Sequence, residues 1–375
     1  MPRRIPKLPS EIISDILSRL SVKCLVRFKC VSKAWRSLIS HPEFAKMHLK
    51  RTKQDINGNH YKIFLSTDPH LSVDPEAYCE PDGNILTTTL NFSVSYPEYS
   101  WIEILGSCNG LVCGLLHDNP LIYLWNPSTR ESRELAILDY SEDGFYGFGY
   151  DFKLEDYKII RGSISASTNG TDGSKIETQV EVFTLKSNLW RIVEDLCCGV
   201  VLGGPGRLAN GVLHWLVSQE NGGSKKYKMV SFDLIEEKFL EMVPLRGLTD
   251  DENNGYLELE VLGDWLCLYS HYGRPSCEAW IMKEYSSEAS WTRFLSFKGE
   301  PIPGGLYGFQ LLWVKKNGNI VFCLDGRELV FYNSNEDTAR PFIIYHDGDW
   351  FESIVYIEGL VSPNNLNDHG LLHNI

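Results

Sequence analysis

The residue types able to do covalent or acid–base chemistry are present in this chain but scattered. Ten cysteines (Cys24, Cys30, Cys79, Cys108, Cys113, Cys197, Cys198, Cys267, Cys277 and Cys323) form no Cys-x-x-Cys pair and have no histidine at zinc-finger distance, so neither a metal site nor a disulfide framework is indicated. Several stand inside apolar runs, as in Leu266-Cys267-Leu268 and Phe322-Cys323-Leu324, where cysteine serves as a small buried hydrophobe. The adjacent Cys197 and Cys198 offer thiol nucleophiles with no neighbouring base to activate them. His214, in Leu213-His214-Trp215, sits in an apolar strand and reads as a satisfied core residue. The carboxylate clusters Asp250-Asp251-Glu252 and Asp347-Gly348-Asp349 occupy turn-like contexts and supply too few ligands for calcium. Gly203-Gly204-Pro205-Gly206 lacks the lysine and the following helix of a phosphate loop and reads as a connector. The chain has no Gly-x-x-x-x-Gly-Lys-Ser/Thr loop, no His-Glu-x-x-His and no Gly-x-Ser-x-Gly elbow. A protein without catalytic residues, metal or cofactor is expected.

The chemistry being sparse, the elements themselves carry the reading. At 375 residues, with 43% hydrophobic residues, 12% aromatics and ten tryptophans, the chain has what a large buried core needs. No stretch approaches the roughly 20 uninterrupted apolar residues of a membrane span, and Met1-Pro2-Arg3-Arg4 leads into no signal-type run. A soluble intracellular protein, cytoplasmic and/or nuclear, with no membrane partner is expected. Asn91-Phe92-Ser93 and Asn169-Gly170-Thr171 are then without consequence as glycosylation triplets. The net charge of −13 is unevenly laid out: residues 1–53 hold 13 Lys and Arg against 3 Asp and Glu, which leaves −23 on the other 322. A basic head on an acidic body implies two parts with different partners, the head drawn to nucleic acid or to an acidic protein.

Apolar spacing in the head decides between these. Pro9 suits a first helical turn by its fixed φ, and Glu11 by its charge near the positive end of the dipole. Ile12, Ile13, Ile16, Leu17 and Leu20 follow at the three-to-four spacing of one apolar stripe. The pattern predicts a second short helix from about Lys23 to Lys29 and a third from about Ser32 to a stop at His41-Pro42. A last amphipathic piece runs from about Pro42 to Lys53. Such short helices bury too little surface to stand alone, so part of their apolar content must face a partner or the next domain. The basic residues are interleaved with core positions in no groove-reading pattern, which argues against nucleic acid.

Residues 8–44, LPSEIISDILSRLSVKCLVRFKCVSKAWRSLISHPEF, resemble an F-box. The likeness lies in the Leu-Pro start, the Ile-Leu-x-x-Leu stripe, the Val-Ser-Lys-x-Trp block and the Leu-Ile-x-x-Pro-x-Phe ending. It implies a module of three to four short helices, residues 1–53, that docks a Skp-type adaptor and through it a cullin. By motif match, the implied adaptor contacts are Leu8, Pro9, Ile12, Ile16, Leu17, Leu20, Leu25, Val31, Trp35 and Leu38, with roughly a third of them expected to be internal core. Ser21 stands where F-boxes typically carry proline after Arg-Leu, which loosens a preorganised turn and removes no apolar anchor. The Lys and Arg excess would speed encounter with an acidic adaptor surface.

Beyond Thr52 the pattern changes to short strands separated by Gly, Asn, Asp and Pro. A unit recurs in which an apolar strand, a polar turn of about four to six residues and a second strand follow one another. It begins at Ile122, Val180, Val230, Ala279 and Val330, in steps of 58, 50, 49 and 51. A period near 50 built of short strands matches the kelch length class of propeller repeats, in which each four-stranded blade needs neighbours to bury its faces. Five hairpins are visible and Tyr61–Leu105 could supply another blade, so an all-β propeller over residues 54–375 is expected, with six blades favoured over five or seven. Asn109-Gly110 and Asn210-Gly211 are signals of two-residue hairpin turns.

The same stretches are similar to the F-box-associated interaction domain of plant F-box proteins, including S-locus and defence-regulating members. Matching pieces include Gly106-Ser107-Cys108-Asn109-Gly110-Leu111, Asn126-Pro127-Ser128-Thr129-Arg130, Gly147-Phe148-Gly149-Tyr150-Asp151 with Asp156-Tyr157-Lys158, Leu213-His214-Trp215, and Trp280-Ile281-Met282-Lys283-Glu284-Tyr285 followed by Ser290-Trp291-Thr292. This resemblance implies a non-catalytic substrate receptor of a Skp–cullin–F-box ubiquitin ligase in a plant, bridging the adaptor and a target protein for ubiquitination and proteasomal degradation. The target is not inherited with the fold. Two other readings stay open: an F-box protein acting outside the ligase, and a propeller enzyme or ligand binder with a helical cap. The acidic body leads to the expectation of a basic target surface.

Overall fold

The structure is a computed structural model that describes residues 8–55, 60–76, 87–92, 102–117, 120–136, 144–167, 175–193, 204–221, 224–245, 256–271, 276–285, 287, 290–298, 309–315, 318–343 and 350–364. Cys79, Cys197-Cys198, Asp250-Asp251-Glu252 and Asp347-Gly348-Asp349 fall outside the described residues.

Four helices come first: α1 (Ser10–Leu17), α2 (Val22–Phe28), α3 (Lys33–Ile39) and α4 (Pro42–Gln54). Each starts where the chemistry directs. Pro9 precedes α1, the Ser32 side chain accepts from the Trp35 N–H at the start of α3, and Pro42 is the first residue of α4. Leu17, Val22, Leu25, Ile39 and Phe44 make the small core of this bundle, and Leu360 from the far end of the chain completes it.

Among the described residues twenty-five strands follow, in six sheets that are the six blades of a propeller. Blade 2 shows the plan, with strands Ile102–Cys108, Leu111–Leu116, Leu121–Asn126 and Glu131–Ala136 paired antiparallel in chain order. The period seen in the sequence is that of the third strand: Leu121–Asn126, Lys175–Thr184, Ser224–Asp233, Ser276–Met282 and Glu328–Asn333 occupy this place in blades 2 to 6. Blade 1 is built from both ends of the domain. The C-terminal strand Ser353–Ile357 pairs with Tyr61–Leu65, which is followed by His70–Val73 and Thr87–Leu90, and the ring closes. The expectation of a blade over Tyr61–Leu105 is therefore corrected, because Ile102–Cys108 opens blade 2 and the missing strand comes from the C-terminus. Blade 3 also departs from four strands: Gly204-Pro205 adds in parallel beside Phe145-Tyr146, and Gly206 follows it before the first strand of blade 4 at Arg207.

The core lies between blades. One cluster fills each junction, as where Leu105, Leu111 and Leu124 of blade 2 meet Phe148, Tyr157 and Ile159 of blade 3. Inner strands sandwiched on both faces lose polar alternation altogether, and every residue of Leu111–Leu116 and Ile320–Leu324 is buried.

The turns repeat as well. Asn126, Asp233 and Asn333 each end a third strand, and each accepts through Oδ1 the N–H groups two and three residues on. The fifth residue of each turn, Arg130, Glu237 or Asp337, has positive φ, and Asn188 does the same after Thr184. Asn109-Gly110 and Asn210-Gly211 turn with φ of 52° and 89°, and 53° and 80°, the left-handed pair that two-residue hairpins require.

Candidate functional site

The helical module sits at one end of the propeller's central channel, beside the first-to-second strand turns. On α4, Lys46 Nζ reaches Glu155 Oε2 of blade 3 at 2.7 Å, and Lys53 Nζ reaches Asn109 Oδ1 of blade 2 at 2.9 Å. The segment after the closing strand runs beneath the module as a strap. The Asn126 side chain donates to the Gly359 and Val361 carbonyls at 3.1 and 2.7 Å, and Leu360 enters the helical core. Because strands alternate in direction, the strand ends Leu90, Ala136, Ile192, Pro244, Lys298 and Ile343, from which the chain leaves each blade, all lie at the opposite end.

Within the module, α4 is clamped onto α1. Arg51 pairs with the Asp15 carboxylate and also donates to the Asp15 carbonyl at 2.9 Å, while His48 Nε2 lies 2.9 Å from the Leu20 carbonyl. The bonds from Arg51 and then Arg19 hold the Asp15 carboxyl below its ordinary range, and burial holds His48 below the ordinary imidazole value. The sequence reading missed these contacts, and polar residues between two apolar stripes give no signal of what they will meet.

The ten residues singled out by the F-box pattern fall into three groups. Leu8, Ile12, Ile16 and Val31 are exposed at 58%, 46%, 49% and 61%, and Pro9 is exposed with them. Leu17 and Leu25, at 2% and 0%, are internal core. Leu20, Trp35 and Leu38 are half-buried against that core, with the Trp35 ring 5.4 Å from that of Phe28. Ile12 and Ile16 stand one turn apart on α1, so a row of branched apolar side chains lies in solvent on a module that has already closed its own core.

Nothing comparable is assembled for catalysis among the described residues. Burial pushes the Cys108 and Cys323 thiols up to about 12 and Cys113 well above its ordinary value, which makes them inert hydrophobes. His214 is buried, 3.2 Å from the Arg207 carbonyl and 3.0 Å from the Tyr285 hydroxyl, and burial lowers it to about 4. It is a neutral core residue. At the channel mouth beside α4, a cavity of about 350 Å³ is lined in part by Asn109, Asn210, Glu260 and Gln310. Of its two carboxylates among the described residues, Glu260 and Asp264, the first is engaged: Glu260 meets Arg207 Nε at 3.0 Å and accepts from Gln310 at 3.0 Å, and Gln310 accepts from Ser353 at 2.8 Å. That chain of contacts joins the inner strands of blades 4, 5, 6 and 1. Among the described residues no group of three or more His, Cys, Asp or Glu could hold a metal ion, and no helix is long and apolar enough to cross a membrane.

Residues 5–47 match the family profile of the F-box domain, and residues 79–362 match that of the F-box associated beta propeller domain. An F-box/kelch-repeat protein of Arabidopsis thaliana is 29% identical over 96% of this chain and 96% of its own length. The F-box protein CPR1 of the same plant is 29% identical over 87% of this chain and 82% of its own. Among solved structures, TolB from Acinetobacter baumannii is similar with a TM-score of 0.45 at 10% identity, over 84% of this chain and 71% of that one. With both profiles matched, the second over well over half of its length, the chain belongs to the F-box proteins that carry an F-box associated beta propeller domain.

Proposed function

We propose that the chain is the substrate-recognition subunit of a Skp–cullin–F-box ubiquitin ligase, in which residues 1–53 hold a Skp-type adaptor and residues 54–375 hold a protein target for ubiquitination and degradation. The observation that carries the reading is that four large apolar side chains of the helical module, Leu8, Ile12, Ile16 and Val31, are left in solvent by a core that is complete without them. Such a patch is what an interface buries. The adaptor would meet these residues and Pro9 first, with Leu20, Trp35 and Leu38 at the margin and Leu17 and Leu25 holding the helices in register.

The target is assigned to the end of the propeller away from the helices, where the chain leaves each blade and where Trp350 stands 53% exposed. Loops on a rigid scaffold suit recognition, and an exposed tryptophan is the kind of side chain that anchors it. The contribution to rate would be proximity alone: a bridge raises the concentration of target near charged ubiquitin and needs no catalytic group of its own. The −23 outside the first 53 residues favours a basic target surface, for which salt would weaken binding. Such partners would put this work in the cytoplasm, the nucleus or both.

The test is co-purification of the full chain with a Skp-type adaptor, comparing wild type with Ile12→Asp/Ile16→Asp. Both positions are exposed, so the variant should fold as wild type does by circular dichroism and lose the adaptor. Equal capture of both forms, or capture of neither, would remove the adaptor role. Recruitment of the full cullin complex by wild type separates the ligase reading from an F-box protein that acts outside it.

A further inference from the structure

We infer that the cleft between α4 and blade 3 is a binding site for a small amphipathic anion, an apolar body carrying a sulfonate, carboxylate or phosphate. The cleft has a volume of about 520 Å³, within the range that holds a drug-sized ligand, and junctions between domains are where such sites concentrate. Three separate parts of the chain wall it: Leu49 from α4, Phe152 and Tyr157 from blade 3, and Val361 from the strap. The Phe152 ring is 65% exposed, so it stands at the edge of this cleft without being part of any core, which an apolar ligand would cover.

The charge of the cleft opposes that of the protein around it. Four lysines, Lys46, Lys50, Lys53 and Lys186, line it against one carboxylate among the described residues, Glu155, and that carboxylate is already paired with Lys46 at 2.7 Å. Lys53 meets a neutral oxygen, Asn109 Oδ1 at 2.9 Å, while Lys186 donates to the Leu154 carbonyl at 2.7 Å and has the Asp156 carboxylate nearby. Lys50 is exposed and has no ion-pair partner among the described residues. On a chain of net charge −13, two ammonium groups, Lys50 and Lys53, without a paired carboxylate beside an apolar wall select for an anion with an apolar body, since a simple anion would leave the wall wet and a neutral apolar molecule would leave the charges uncompensated. A ligand seated there would touch helix, blade and strap together and so stiffen the seat of the helical module.

The test is a fluorescence titration of the full chain with 8-anilinonaphthalene-1-sulfonate, an aromatic anion of this class. One saturable site is expected. Lys50→Glu/Lys53→Glu and, separately, Phe152→Asp should each weaken it by roughly tenfold or more, and the uncharged N-phenyl-1-naphthylamine should bind more weakly by a similar factor. All three positions reach solvent, so the variants should keep wild-type circular dichroism and melting. Ile12→Asp/Ile16→Asp should leave the titration unchanged. The inference is overturned if no saturable binding occurs, if the lysine and Phe152 variants titrate like wild type, or if binding is lost in the Ile12/Ile16 variant, which would place the dye on α1. Binding that appears only after removal of residues 365–375 would also overturn it, by assigning the cleft to the chain's own end.

Discussion

Lys158 Nζ stands 2.6 Å from Asp151 Oδ2, with neither side chain exposed to solvent. The same ammonium lies 2.6 Å from Glu237 Oε1 of blade 4 and 2.6 Å from the Leu234 carbonyl, while Arg191 takes the other oxygen of Glu237. Burial works against the charge on Asp151, but the bonds from Lys158 and from the Leu154 and Lys153 N–H groups override it and hold the carboxyl below its ordinary range. Glu237 is held low against burial by Arg191 and Lys158. This ion network ties blade 3 to blade 4. Lys158→Met should lower unfolding free energy by about 3–5 kcal/mol, because it strips the buried Asp151 carboxylate of its only ion partner among the described residues and leaves Glu237 with Arg191 alone. In urea denaturation, Lys158→Met/Asp151→Asn should recover part of that loss, since asparagine keeps the acceptor that shapes the turn.

Glu352 titrates in the opposite sense. Burial, with the Glu103 carboxylate adding to it, pushes its carboxyl up to about 7, against the Ile104 N–H that it accepts from and the nearby Arg207. The Glu352 backbone N–H donates to the Ser66 hydroxyl, and Glu103 in turn stands 3.0 Å from His117. A carboxyl raised above its unfolded value of 4.5 stabilises the fold while it keeps its proton. Its contribution is full below pH 4.5 and is lost as pH rises through about 7. Thermal melts of Glu352→Gln, set against wild type, should therefore show a gain at pH 8 that shrinks towards pH 5, on the order of 3 kcal/mol at its largest. Asp151 and Glu237, held low, act in the other window: their contribution is present above ordinary carboxylate values and disappears in stronger acid.

The blade count was legible because the third strands of blades 2 to 6 carry apolar runs at a near-constant period, three of them ended by the Asx turns of Asn126, Asp233 and Asn333. Blade 1 was legible only in part. Its innermost strand, Ser353–Ile357, pairs with Tyr61–Leu65 from the opposite end of the domain, and no local signal marks a pairing so distant in sequence. Likewise, the stripe through Ile12, Ile16, Leu17 and Leu20 announced a helix with an apolar face. Periodicity alone could not separate Leu17, which its own module buries, from Ile12 and Ile16, which it leaves in water. Lys158 belongs to the Asp156-Tyr157-Lys158 piece of the family resemblance, and nothing in that local pattern marks it as buried. Its full burial depends on Glu237 and Leu234 of the next blade, which only the fold brings near.

The strap makes a further demand on Asn126. Its side chain uses all its capacity, accepting from the Ser128 and Thr129 N–H groups through Oδ1 and donating to the Gly359 and Val361 carbonyls through Nδ2. Gly110, at φ +89°, lets the backbone of Gly359 approach so closely that a side chain there would start 3.1 Å from its Cα. Asn126→Ala should therefore cost about 1–3 kcal/mol through unmet buried carbonyls and a weakened turn. Hydrogen exchange should speed up at Gly359, whose N–H lies 3.4 Å from Ser128 Oγ, before it does so in blade 5. Uniform acceleration across all blades would mean that the strap unfolds only with the whole domain.

The two halves of the apolar stripe should also part company in measurement. Leu25, with no exposure, is surrounded by Leu17, Val22, Ile39 and Phe44 in a core too small to close over a cavity, so Leu25→Ala should lose about 2–5 kcal/mol. Ile12 is nearly half in water, and Ile12→Ala should stay within about 0.5 kcal/mol of wild type. If the proposed docking is right, the order reverses for the adaptor. Measured by calorimetric titration, Ile12→Ala should weaken adaptor binding directly, whereas Leu25→Ala, under conditions where it remains folded, should bind nearly as well as wild type. A Leu25→Ala chain that is fully folded yet fails to bind would mean that the adaptor inserts into the module's core, and that α1 and α2 move apart to admit it.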